Sequence, residues 1–205
     1  MKGIVLALFV IFLLLGAGVA AASSTTVYLP IASNMNTPTP TPNLSPILFP
    51  NGDFEQGATI WVESSTQGYE LILEQYPYGL PATIPPYNGR WVAWLGFVDI
   101  EYSTISQQIL VPYNHPYLSY WIWIDSEDPN CGIAYDLAQV TVNGATVDEY
   151  YLCTATKTNG WVQRVVDLHA YRGETVEIKF GGFTDLYYQS GLFIDHVTFQ
   201  VSEDG

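Results

Sequence analysis

Basic residues are scarce in this 205-residue chain: six Lys and Arg stand against twenty Asp and Glu, a formal net charge of −14. Phosphate binding needs a basic patch, and Arg90, Lys157, Arg164, Arg172 and Lys179 are scattered along the sequence, so no nucleic-acid partner is expected. An acidic surface of this kind suits solubility, divalent metals and neutral ligands. Histidine is nearly as rare. His115 lies in a turn, His169 in a loop and His196 in a strand-like stretch, and no two of them have metal-ligand spacing. No serine occupies a Gly-x-Ser-x-Gly elbow. A glycosidase needs two positioned carboxylates, and among twenty acids no pair is singled out. The chain is expected not to be an enzyme.

Long apolar runs are absent beyond the first. Lys2 supplies a positive n-region, Ile4 to Leu15 an apolar stretch and Ala20-Ala21-Ala22 a small-residue cleavage site, the pattern of a signal peptide over residues 1–22. The same run is nearly long enough to be an uncleaved anchor, but its small-residue end favours cleavage. The expected protein is secreted or displayed at the cell surface, with no membrane insertion after leader cleavage, five basic residues against twenty acidic ones and a net charge of −15. Residues 23–45 hold a short strand-like segment, 25–32, and the run Thr37-Pro38-Thr39-Pro40-Thr41-Pro42. Alternate prolines favour polyproline II, a semi-rigid spacer of about 3.1 Å per residue. Segment 25–32 then either has a task, self-association or surface docking by lending a strand, or is an unstructured tail.

Cysteine is limited to Cys131 and Cys153, which in an exported chain points to one disulfide. Asn143-Gly144 fits a two-residue hairpin turn. Pairing Val142 with Ala145 sets Cys153 opposite Ala134, three residues from Cys131, so a bend or bulge closes the bridge. No Cys-x-x-Cys supports a redox or metal role.

Helical periodicity is missing as well. Apolar residues recur at period two between Gly, Pro and Asn punctuation, giving strands over residues 68–74, 90–95, 104–111, 117–124, 137–142, 147–152, 162–167, 175–180 and 192–201. Nine strands predict an all-β, two-sheet antiparallel β-sandwich, or jelly roll, over residues 46–202. In the stretch Tyr117 to Ile124 one face carries Leu118, Tyr120, Ile122 and Ile124 and the other Trp121 and Trp123. Both faces of this strand therefore need cover, from loops or from a ligand.

Asn51-Gly52-Asp53-Phe54-Glu55-Gln56-Gly57 with Trp61 resembles the opening of carbohydrate-binding modules of the galactose-binding-like and xylan- or glucan-binding jelly rolls. Ala93-Trp94-Leu95-Gly96, Leu118-Ser119-Tyr120-Trp121, Val140-Thr141-Val142-Asn143-Gly144, Gly160-Trp161 and Phe193-Ile194-Asp195 follow in the same order. The segment from Cys131 to Asp136 is also similar to MAM-type adhesive sandwiches. The resemblance implies a structural calcium ion joining the first and last strands, held by the backbone carbonyl of Asp53 and the carboxylates of Glu55 and Asp195. A hard cation wants several oxygens. Many relatives carry a second acid where this chain has His196, whose side chain alternation should turn to the opposite face. The acidic run Asp125-Ser126-Glu127-Asp128 lacks the glycine and distal glutamate of an EF-hand loop and is expected to be a solvated turn.

Aromatic residues are abundant by contrast, at 15%. Sugar C–H faces pack on Tyr and Trp rings while hydroxyls bond polar neighbours. The loops at residues 75–90, 97–102 and 185–189 combine both, and Tyr78, Tyr87, Tyr187 and Tyr188 are the expected glycan contacts. The sequence thus points to a non-catalytic, exported, calcium-stabilised module that binds a polysaccharide or glycan. Its rival is a surface adhesion or assembly module; a flat apolar patch or an unpaired edge strand would favour that second reading.

Overall fold

The computed structural model describes residues 45–74, 84–133 and 135–204, all within the second of the chain's two units, Pro42–Gly205. The leader, segment 25–32, the Thr-Pro run and Tyr78 lie outside the described residues. Among the described residues eleven strands follow in order: β1 Ile47–Leu48, β2 Val62–Ser65, β3 Ile72–Glu74, β4 Trp91–Gly96, β5 Tyr102–Leu110, β6 Tyr117–Ser126, β7 Leu137–Val142, β8 Ala145–Tyr151, β9 Val162–Asp167, β10 Thr175–Phe183 and β11 Ser190–Gln200. A 3-10 turn at His169–Tyr171 lies between β9 and β10. One sheet runs β3-β4-β11-β6-β9, with β1 beside the far end of β11, and the other runs β2-β5-β10-β7-β8. Every pairing is antiparallel, so the fold is a two-sheet β-sandwich.

The core follows from alternation. Ile105 and Phe180 of the second sheet meet Leu95, Leu118, Tyr120, Ile122 and Ile194 of the first, all buried. The other face of the first sheet is apolar too. Val92, Phe193 and Ile84 are buried there, with Leu73, Trp94, Trp123 and Trp161 packed around them. The residues just before β4 lie over this layer: Tyr87 stacks on Trp121 with ring centroids 4.1 Å apart, and Trp161 donates its indole N–H to the Pro85 carbonyl at 2.9 Å. The second face of β6 is covered by the protein's own loop.

The edges are closed in two ways. Tyr120 donates to Asp148 Oδ2 at 2.9 Å and lies 2.8 Å from the Tyr150 hydroxyl, while Arg164 of β9 donates to that hydroxyl at 3.3 Å. This group ties edge strand β8 of one sheet to edge strand β9 of the other. At the opposite edge the Glu63 carboxylate accepts the N–H groups of Leu71 and Ile72, at 2.8 and 2.6 Å. A charge placed on a strand edge blocks further pairing there.

The hairpin turns at Asn143 and Gly144, both at positive φ, and Val142 pairs with Ala145. An irregularity between Val140 and Thr141 shifts the register, so that Leu137 faces Tyr151. Cys131 and Cys153 are disulfide-bonded, with Cα atoms 5.5 Å apart.

Candidate functional site

The opening motif builds the joint between the two ends of the domain. Asn51, buried and at positive φ, donates its side-chain amide to the carbonyls of Gly57 and Thr59 at 2.9 and 3.0 Å and accepts the Gln56 N–H at 3.1 Å. Its own carbonyl accepts the Trp61 indole N–H at 2.9 Å. Phe54 is wholly buried against Trp61. Gly52 meets the last strand at one residue: Val197 N–H donates to its carbonyl at 2.8 Å, and a Cβ on Gly52 would overlap the Val197 carbonyl oxygen.

The two expected metal-binding carboxylates, Glu55 and Asp195, lie beside this joint. The buried Asp195 accepts the N–H groups of Asn88 at 3.1 Å and His196 at 2.6 Å. Glu55 Oε1 accepts those of Arg90 and Trp91, at 2.7 and 2.8 Å. Both carboxylates therefore hold the same five-residue loop, Tyr87 to Trp91. Burial pushes the Asp195 carboxyl up to about 7, with the nearby Glu55 charge adding to the push and the backbone bonds opposing it. The Asp53 side chain is exposed and lies 3.5 Å from the Glu55 N–H. Among the described residues no group of three or more acidic, His or Cys side chains is gathered for a metal, so a cation here would need backbone oxygens, as an Asp53 carbonyl would supply. Two carboxylates plus carbonyl oxygen is hard-donor chemistry suited to calcium. The strand irregularity between Asp195 and Thr198, with His196 at positive φ, breaks the expected alternation: His196 sits 5.6 Å from the Tyr87 ring, on the side of the Asp195 loop and not across the sheet.

The expected tyrosine contacts separate into two environments. Tyr87 is held against Trp121, Trp161 and His196. Tyr187 and Tyr188 are exposed at 69% and 50%, and with Tyr135, Asp128, Asn130 and Asp185 they surround a hollow of about 240 Å³. Asp185 is fixed by its N–H bond to Asp136 Oδ1 at 2.8 Å, and its own carboxylate accepts the Tyr187 N–H at 2.7 Å. Burial raises the Asp136 carboxyl.

Sequence reading missed the surface beside this rim. Tyr102 pairs with Phe183, Phe183 with Leu137, and Leu137 with Tyr151, so register alone draws one aromatic and aliphatic row across four strands. Tyr102, Phe183 and Tyr151 are all about half exposed. The next row on that face is Thr104, Gly181, Gln139 and Glu149, with Gln139 donating to Glu149 at 2.9 Å. A hollow of about 50 Å³ lies between the rows, over Gly181 and next to Thr141 and Lys179. Each aromatic ends its strand at an outward position, a signal available only once partners and register are known.

No protein-family model matches the sequence, and no curated protein is similar to it in sequence. Solved structures do match. The carbohydrate-binding module TmCBM61 in complex with β-1,4-galactotriose is 13% identical at a TM-score of 0.53, covering 77% of this chain and 100% of that one. The K3 cleaved adhesin domain of Lys-gingipain from Porphyromonas gingivalis is 15% identical at 0.52, covering 76% and 97%. A Stig cyclase from Fischerella sp. TAU, 13% identical and covering 77% and 98%, aligns at 0.49, too distant to carry an argument. The domain therefore has the β-sandwich fold shared by carbohydrate-binding modules and adhesin domains.

Proposed function

We propose that this chain is a non-catalytic, exported glycan-binding module whose sugar surface is the row Tyr102, Phe183, Leu137 and Tyr151 together with the Tyr187–Tyr188 rim. The observation that carries this reading is the register that sets Tyr102, Phe183, Leu137 and Tyr151 in line beside a row holding the Thr104 hydroxyl, the Gln139 amide and the Glu149 carboxylate. Flat rings meet sugar C–H faces, and Thr104, Gln139 and Thr141 supply hydroxyl partners. Tyr135 precedes β7 and Asp185 follows β10, so rim and row meet at one end of the same sheet. The abundance of carboxylates favours a neutral polysaccharide over an anionic one.

Calcium at Glu55 and Asp195 is part of the proposal. Its role would be structural: it would neutralise two carboxylates that otherwise repel and would fix the Tyr87 to Trp91 loop to both ends of the domain. The second reading, adhesion or assembly, draws on the same exposed row, because a flat apolar stripe also fits a protein partner. Isothermal titration against soluble galactan, mannan, xylan and mixed-linkage glucan separates the two. Saturable binding to at least one, weakened in Phe183→Ala and Tyr187→Ala, supports the glycan reading. No binding to any, with a concentration-dependent oligomer abolished by Phe183→Ala, would replace it with assembly.

A further inference from the structure

Beside edge strand β3 lies a cleft of about 550 Å³ that shares no residue with the row or the rim. A volume of that size suits a small ligand. Its rings are Tyr69, Trp91, Trp94 and Phe97, with Trp94 and Phe97 edge to face at 4.7 Å. Its charged side chains are Glu70, Glu74 and Glu101, and no Lys, Arg or His is among the described residues that line it. Glu74 is already ion-paired with Arg90.

Glu101 makes the cleft more than an apolar gap. It is 1% exposed, and its Oε2 accepts the Thr66 hydroxyl and the Gln67 N–H at 3.0 and 3.2 Å. Its Oε1 is buried with no hydrogen-bond partner. A carboxylate oxygen buried in this way needs a donor. The Trp94 indole N–H also has no partner, but it lies against the Gly191 backbone. Among the described residues the walls offer no amide or guanidinium side chain, the groups that usually bond sugar hydroxyls, and rings beside carboxylates favour a cation instead.

We propose that this cleft binds an aliphatic ammonium group, a primary amine on a short apolar stem, with the amine donating to Glu101 Oε1 and the stem lying between Tyr69, Trp94 and Phe97. The amine could come from a free diamine or from a lysine side chain of another protein. The test is a calorimetric titration of the full chain, at about 0.15 M salt to suppress diffuse charge effects, with cadaverine, with Nα-acetyl-lysine amide and with 1-pentanol as the uncharged analogue. The expected result is one saturable amine site, with pentanol at least about tenfold weaker. Phe97→Ala and Glu101→Gln should each weaken the amine about tenfold, and Tyr187→Ala should leave it unchanged. Because Glu101→Gln also touches the Thr66–Gln67 turn, Tyr69→Ala, at an exposed wall, is the second variant. Tighter cadaverine binding assigns a free diamine, and tighter binding of the lysine derivative assigns a protein partner. No saturable site, pentanol binding as tightly as the amine, or displacement of the amine by a neutral polysaccharide would each overturn the proposal. The proposed glycan surface is elsewhere, so the first two results leave the glycan reading to its own test, whereas displacement would move the sugar to this cleft.

Discussion

Asp195 is the residue whose charge is least comfortable in this domain, and that discomfort is measurable. Its native carboxyl titrates near 7, raised from 3.8 chiefly by burial. The folded state therefore holds the proton more tightly than the unfolded state, and the stabilisation from this group is fully present below about pH 4 and lost as pH rises through 7. In chelator, the melting temperature should fall across that window, and Asp195→Asn should flatten the fall. Calcium favours the ionised form, so on the proposed reading the melting temperature it adds should grow as pH rises through 7 and level off above it. Identical melting curves with calcium and with chelator would remove the metal from the proposal. The tyrosines divide by contact. Tyr87→Ala forfeits a stacked pair and should cost about 1 kcal/mol of stability, whereas Tyr187→Ala and Tyr188→Ala should weaken glycan binding by about 1–2 kcal/mol with melting nearly unchanged. In the sequence Tyr87, Tyr187 and Tyr188 alike stand in loops with polar neighbours. What separates Tyr87 from Tyr187 is Trp121, thirty-four positions away in the chain, which no local pattern relates to it.

Strands were legible where alternation was strong and long. β7 and β9 fall on the expected residues, and β6 shows the two apolar faces read from its sequence. β1 has two residues and β2 has a single apolar one, so neither presents a period to detect. β3 is shorter than expected because Gly68, at positive φ, makes a turn. The hairpin turn and its first pair, Val142 with Ala145, were readable from Asn143-Gly144, but the place of the irregularity, between Val140 and Thr141, was not. Two predictions belong at this scale. The bridge between Cys131 and Cys153 spans 22 positions, so its reduction should cost about 3 kcal/mol in the chain-entropy model, read as a shift in the denaturation midpoint. A Cβ on Gly181 would find only ordinary contacts, the nearest at 3.6 Å to Thr104. Gly181→Val should therefore keep or raise the melting temperature while filling the hollow between the two rows and weakening glycan binding. Unchanged affinity in that variant would place the sugar somewhere other than this sheet.

For the whole molecule, the sandwich was readable because it rests on a feature repeated along the chain, the period-two strands. The proposed binding face was not, since Tyr102, Leu137, Tyr151 and Phe183 become neighbours only through three strand pairings. Solved structures with this fold include both a galactotriose-bound module and an adhesin domain, so the choice between sugar and protein rests on that face. The most direct measurement is affinity electrophoresis of the protein through gels containing each neutral polysaccharide in turn, beside the Phe183→Ala/Tyr187→Ala double variant. Glycan binding through this face predicts retardation in at least one gel, lost in the double variant while its melting temperature stays within about 2 °C of the parent. Free migration of the parent in every gel, or equal retardation of parent and variant, would contradict it.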